Sequence, residues 1–135
     1  MELILNRVQC NNCNTTITSR HRHDFVGCDC IEEDKKVFID GGLDYGRLLF
    51  GLNSHYDDLR VYDDNNHNTI RENLEWGVNY DKEQNKLPET IYKPIKDLNT
   101  DHIEAILEGN YSNGIFEKAF KNELIYRTNL NKQTK

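Results

Sequence analysis

The sequence predicts an α+β protein. A small zinc-ribbon-like β module over residues 1–47 precedes an irregular middle segment and a C-terminal helical hairpin over residues 99–130. Three observations predict it. All four cysteines fall in two close pairs, Cys10-x-x-Cys13 and Cys28-x-Cys30. Short apolar runs bounded by turn residues flank those pairs. Apolar residues late in the chain recur at helical spacing. Residues 48–135 are expected to pack as one compact unit, since 135 residues make one domain or two very small ones.

The β elements come first. Glu2 to Val8 reads as a strand running into the first cysteine pair. Phe25-Val26 and Val37-Phe38-Ile39 read as two more. Arg47-Leu48-Leu49-Phe50 is an apolar patch after a glycine-rich turn, and Leu59 to Tyr62 alternates like an edge strand. It stops at Asp63-Asp64-Asn65-Asn66, a loop by composition. Asn68 to Trp76 is expected to form a short helix capped by Asn68, with the lone tryptophan anchoring the core against the helices.

The hairpin is clearer. Asn99 or Thr100 can accept from the free N–H groups of a helix start, and Asp101 and Glu104 suit its positive end. Ile103, Ile106 and Leu107 share one face, and Gly109 ends the helix. After Ser112-Asn113-Gly114, a second helix places Phe116, Ala119, Phe120 and Leu124 together, with Glu117, Lys118, Lys121 and Glu123 mostly elsewhere. The polar stretch from Asn129 to Lys135 is expected to fray.

The cysteine pattern carries the strongest chemistry. Two close pairs separated by a hairpin-sized segment can set four thiolates at the corners of a tetrahedron, the arrangement zinc favours. Asn11, Asn12 and Asn14 suit the tight turn, because asparagine tolerates left-handed backbone geometry. Disulfide frameworks spread their cysteines to staple distant loops, whereas local pairs point to metal. With all four positions filled by Cys10, Cys13, Cys28 and Cys30, one structural Zn2+ is expected. An iron–sulfur cluster or a redox pair is the alternative.

Between the pairs lies Ser19-Arg20-His21-Arg22-His23-Asp24-Phe25, the one concentrated basic and imidazole stretch. Arg20 and Arg22 suit an anion or phosphate contact, and His23 with Asp24 suits an acid/base unit. The bland reading is a solvated hairpin arm. Beyond the second pair comes Asp40-Gly41-Gly42-Leu43-Asp44-Tyr45, a turn in which Gly41 and Gly42 let the backbone approach a ligand closely, with Tyr45 beside it. His21, His23, Asp24, Asp40 and Asp44 could hold a second, catalytic metal, making a metal-assisted hydrolase or nuclease. The competing reading is a glycine turn with aspartate caps, and it is favoured. His55 and His67 sit in polar surroundings and receive no role; His102, in a first helical turn, is read as structural.

These residues also support a resemblance. The run of Cys-x-x-Cys, Arg-His-Arg-His-Asp-Phe, Cys-x-Cys and Asp-Gly-Gly-Leu-Asp-Tyr resembles a family of small, uncharacterised bacteriophage proteins. The likeness is strong over residues 10–47. It reaches more weakly to Trp76-Gly77, to residues 96–103 and to residues 123–127. Ile31 stands where that family usually has glycine. The resemblance implies a phage context and the cytoplasm of a bacterial host, and brings no established activity.

Charge narrows the partner. The formal net charge is −6, which opposes sequence-blind nucleic-acid binding. No apolar run reaches the length of a membrane span, and the opening Met1 to Leu5 is too short for a signal peptide, so a soluble cytosolic protein is expected. Charge and resemblance together lead to a phage accessory protein that binds and modulates a host protein, acting as an anti-defence inhibitor. A nucleotide- or nucleic-acid-binding zinc module using Arg20 and Arg22 is the alternative.

Overall fold

In a computed structural model, which describes residues 2–81, 83–112 and 114–133, the chain divides into two units, 1–64 and 65–135. The α+β class holds, with a β-rich N-terminal region carrying the cysteines and three helices following it. The boundary falls after Asp64 rather than Arg47, because the strands that follow residue 47 pair back onto the N-terminal ones.

In the first unit, β1 (Leu3–Leu5) pairs with β8 (Val61–Tyr62). A second sheet has β2 (Arg7–Cys10) in the middle, between β3 (Thr16–Thr18) and β7 (Tyr56–Asp58). A third has β5 (Val37–Asp40) between β4 (Val26–Gly27) and β6 (Arg47–Phe50). All pairings are antiparallel. The expected strand from Glu2 to Val8 breaks at Asn6, which is fully buried. Its backbone carbonyl accepts from Ser19 N–H, and its side-chain amide donates to the carbonyls of Asp40 and Gly42. The patch at residues 47–50 is a strand because its backbone completes the ladder of β5.

Val8, Cys10, Ile17, Cys28, Val37 and Ile39 form the core of this unit, with Cys13, Val26, Cys30, Leu48 and Tyr56 packed against them. Strand alternation explains the set: Val37 and Ile39 point one way from β5, and Val8 and Cys10 one way from β2.

The second unit opens with α1 (His67–Asn73), whose cap is Asn66 rather than Asn68: the Asn66 side chain accepts from the Asn68 N–H. Trp76 lies outside that helix, in β9 (Glu75–Tyr80), which pairs with β10 (Lys86–Pro94) as a long hairpin. Trp76 stands edge-on to Phe116 and Phe120, about 5 Å between ring centroids. A 3-10 turn at Ile95–Asp97 leads into α2 (Thr100–Glu108). Asn99 occupies the cap position without a side-chain cap bond, and Thr100 Oγ1 accepts instead from Arg127. Gly109 closes α2 through bonds to Ala105 and Leu107 carbonyls.

The last helix, α3 (Gly114–Gln133), packs against α2 and α1. It runs past the Asn129 at which fraying was expected; Asn113, Thr134 and Lys135 lie outside the described residues. Ile103, Ile106, Ala119 and Phe120 are buried as their spacing demands. No helix among the described residues is long and apolar enough to cross a membrane.

Candidate metal centre

The first pair is shaped by a tight turn after β2. Cys10 N–H donates to the Thr15 carbonyl at 2.8 Å, and Asn14 takes the left-handed backbone (φ 60°) that asparagine tolerates. The second pair follows β4. Cys28 N–H donates to the Val37 carbonyl, and Val37 N–H donates to Cys28 Sγ at 3.4 Å. The two turns bring the four sulfurs within 4.8 Å of one another, with Cys10 Sγ and Cys30 Sγ 3.5 Å apart. A tetrahedral ion with sulfur ligands at about 2.3 Å sets them about 3.8 Å apart. The donor set therefore fits a four-coordinate metal ion. All four cysteines are free of disulfides.

Their protonation supports the same fit. Burial pushes the Cys10 thiol up, against N–H donors from Cys13 and Asn12. Burial and then the neighbouring sulfurs push Cys30 up strongly. Cys13 moves the other way, to about 6, chiefly through the Thr15 hydroxyl 3.2 Å away. Such a packed set of thiols cannot all ionise by itself, because each thiolate opposes the next. A dication removes that conflict.

The arm and the glycine turn meet each other. Ser19 is buried; its hydroxyl donates to the Asp24 carbonyl at 2.7 Å and accepts from Gly42 N–H at 2.8 Å. The Asp24 carboxylate accepts from the Arg20 N–H, closing the arm on itself. Gly42 has φ +54°, and a Cβ there would lie 2.6 Å from the His21 backbone, so only glycine admits this approach. The buried Asp40 carboxylate accepts from Gly41 N–H, Tyr45 Oη and Arg47 Nη2 at 2.8–3.2 Å. His23, at φ +67°, sets its Nδ1 3.5 Å from Tyr45 Oη.

Of the residues singled out in this region, the structure brings together His23, Asp40, Tyr45, Gly41 and Gly42. His21 contributes its backbone, while its side chain, Arg22 and Asp44 are exposed, and Arg20 is half-buried. Among the described residues, the four cysteines are the one group of three or more His, Cys, Asp or Glu ligand atoms drawn together. The His and Asp side chains form no second group of that kind.

Sequence reasoning missed two residues that organise the chain. Asn6 clamps the Asp40–Gly42 turn. Glu123, expected away from the packed helix face, is 0% exposed. It accepts a bidentate pair from Arg71 at 2.9 and 3.0 Å, a bond from Arg127 at 2.7 Å, and lies 2.9 Å from His67 Nε2. His67 thus has a structural place, and its Nδ1 finds no partner among the described residues. Glutamate at a core position followed by arginine four residues later, Glu123 and Arg127, was the available signal.

Residues 2–50 match the family model of a domain of unknown function, DUF7695. That stretch contains every cysteine, the arm and the glycine turn. No curated protein and no solved structure matches this chain.

Proposed function

We propose that the chain acts by binding another protein, and that one structural zinc ion at Cys10, Cys13, Cys28 and Cys30 holds the binding module in shape. One observation carries the non-enzymatic reading. The candidate groups do not converge on a common ion: Asp40 takes three donors, Asp24 closes its own arm, the Gly41-Gly42 backbone is held by Asp40, Ser19 and Asn6, and the His21 and Asp44 side chains are exposed. A metal-assisted hydrolase needs carboxylates and imidazoles free to face a common ion. The zinc assignment follows from the all-thiolate set with no open position, the pattern of structural rather than catalytic sites.

A narrower form extends this proposal. The charge of −6 and the resemblance to small phage proteins support an accessory protein that binds a component of a bacterial host's defence in the host cytoplasm. An acidic surface can cover the positive channel of a nucleic-acid enzyme by charge complementarity.

The test is purification of the tagged full chain from bacterial cells, with gel filtration and metal analysis. The expected result is one zinc per chain, co-elution with a protein in fixed ratio, and no hydrolysis of nucleotides or nucleic acids on adding Mn2+ or Mg2+. Metal-dependent turnover without a bound protein would overturn the proposal.

A further inference from the structure

The third sheet of the first unit has two unlike faces. Val26, Val37, Ile39 and Leu48 point into the core. The register sets Phe38 opposite Leu49 and Asp40 opposite Arg47, and alternation places these four on the other face. That outer face is aromatic. Phe25, just before β4, stacks on Phe38 with ring centroids 4.9 Å apart and planes at 14°. Gly27 makes the stack possible, since a Cβ there would come within 2.7 Å of the Phe38 ring.

This aromatic surface faces solvent. Phe25 is 52% exposed and Leu49 39%. In a chain with 36% hydrophobic residues and a small core, leaving such side chains outside has a cost that burial by a partner would remove. The rim is cationic: the Lys36 ammonium sits 5.4 Å from the Phe38 centroid, and Arg47 keeps 56% of its side chain exposed while touching Asp40. Asp40, the acid on this face, is buried and tied to Arg47 and Tyr45.

Resting on the protein-binding reading above, we infer that the outer face of the β4–β5–β6 sheet docks a partner segment that sets an aromatic or large aliphatic side chain beside carboxylates. The apolar group lies on the exposed side of Phe25 against Leu49, and its carboxylates meet Lys36 and Arg47. Stacking surfaces with cationic rims also serve single-stranded nucleic acid, which needs a row of cations to neutralise successive phosphates. With two cations at its rim, Lys36 and Arg47, the face matches the few carboxylates of a short segment better than a row of phosphates.

The experiment selects a random peptide library against the zinc-loaded full chain and measures binding of the enriched peptides to single variants. Phe25→Ser changes an exposed group and Lys36→Glu a half-buried one, so both variants are checked for metal content and circular dichroism. Ile125→Ser, on α3, is the control. The expected peptides pair an aromatic residue with acidic ones. Their binding should fall about tenfold or more in Phe25→Ser and in Lys36→Glu, as for central hot-spot contacts, and stay unchanged in Ile125→Ser. Enriched peptides that bind both face variants like the native chain would overturn the docking face and leave the protein-binding reading standing. Failure to enrich any peptide would overturn the docking face. A labelled single-stranded oligonucleotide bound through Phe25 would overturn both readings.

Discussion

Glu123 shows how much one side chain can organise here. Burial by itself would raise its pKa, but the bonds from Arg71, Arg127 and His67 outweigh burial and hold it at about 2, below the usual 4.5. Arg127 carries the link onward, donating to Thr100 Oγ1 and to the carbonyls of Ile95 and Lys96. One carboxylate therefore ties α1, α3, the 3-10 turn and the start of α2. Replacing Glu123 with Gln should cost about 3 kcal/mol in urea unfolding of the full chain, because two guanidinium groups lose their counter-charge. The pH sign follows from the lowered pKa. The contribution, on the order of 3 kcal/mol, is complete above the unfolded value near 4.5 and declines as pH falls towards about 2. A native protein whose stability is flat across that window, or a Glu123→Gln chain as stable as the native one, would refute this role. The sequence hid the residue because a charged side chain on an amphipathic helix is assigned to solvent by default. Its partner Arg71 lies 52 positions away, beyond any local pattern.

Elements were legible where local chemistry decides and illegible where pairing does. The cysteine turns, Val37 to Ile39 and the α2–α3 hairpin follow from spacing, turn residues and apolar period, and each lies near its expected place. The β9–β10 hairpin has no such signal. β10 contains Pro88 and Pro94 and is exposed along most of its length, so its ladder, not its side-chain pattern, makes it a strand. The helix cap was misplaced by two residues because asparagines crowd the loop, and it is the Asn66 side chain that accepts from an amide of the first turn. Asn66→Ala should accordingly cost about 1 kcal/mol and Asn68→Ala close to nothing, read from thermal unfolding. The glycine turn offers a sharper contrast. Gly42→Ala forces a side chain into the His21 backbone at φ +54°, whereas Gly114, also left-handed at φ +57°, meets nothing within 4 Å. The first should destabilise by about 2 kcal/mol and shift the amide resonances of the Arg20–Asp24 arm. The second should cost less, with the arm unmoved. Equal penalties would mean that the arm is not seated on the turn.

At the scale of the molecule, the four-cysteine site is the feature able to join the sheets of the first unit into one body. Its sheets are built from strands of two to four residues, too short to stand by themselves. Two of the six core residues, Cys10 and Cys28, belong to the cysteine set, and their turns come from different sheets. Without an ion the core would contain buried thiols, with Cys10 and Cys30 held protonated by burial. With zinc, the same four sulfurs become a cross-link, and structural zinc in small modules contributes on the order of 10 kcal/mol to folding. Chelation at neutral pH should therefore strip amide-exchange protection from Val8, Ile17, Val37 and Ile39, and added zinc should restore it. Acid should release the ion as protons compete for the thiolates, so protection in this unit should fall as pH drops. Cys28→Ser removes one corner and should abolish stoichiometric zinc together with that protection. Metal analysis of the native chain should find one zinc without the visible absorbance of an iron–sulfur centre. A metal-free chain that kept these amides protected would show that packing alone closes the unit. The arm, the glycine turn and the aromatic face would then owe their positions to the core and not to the cysteines.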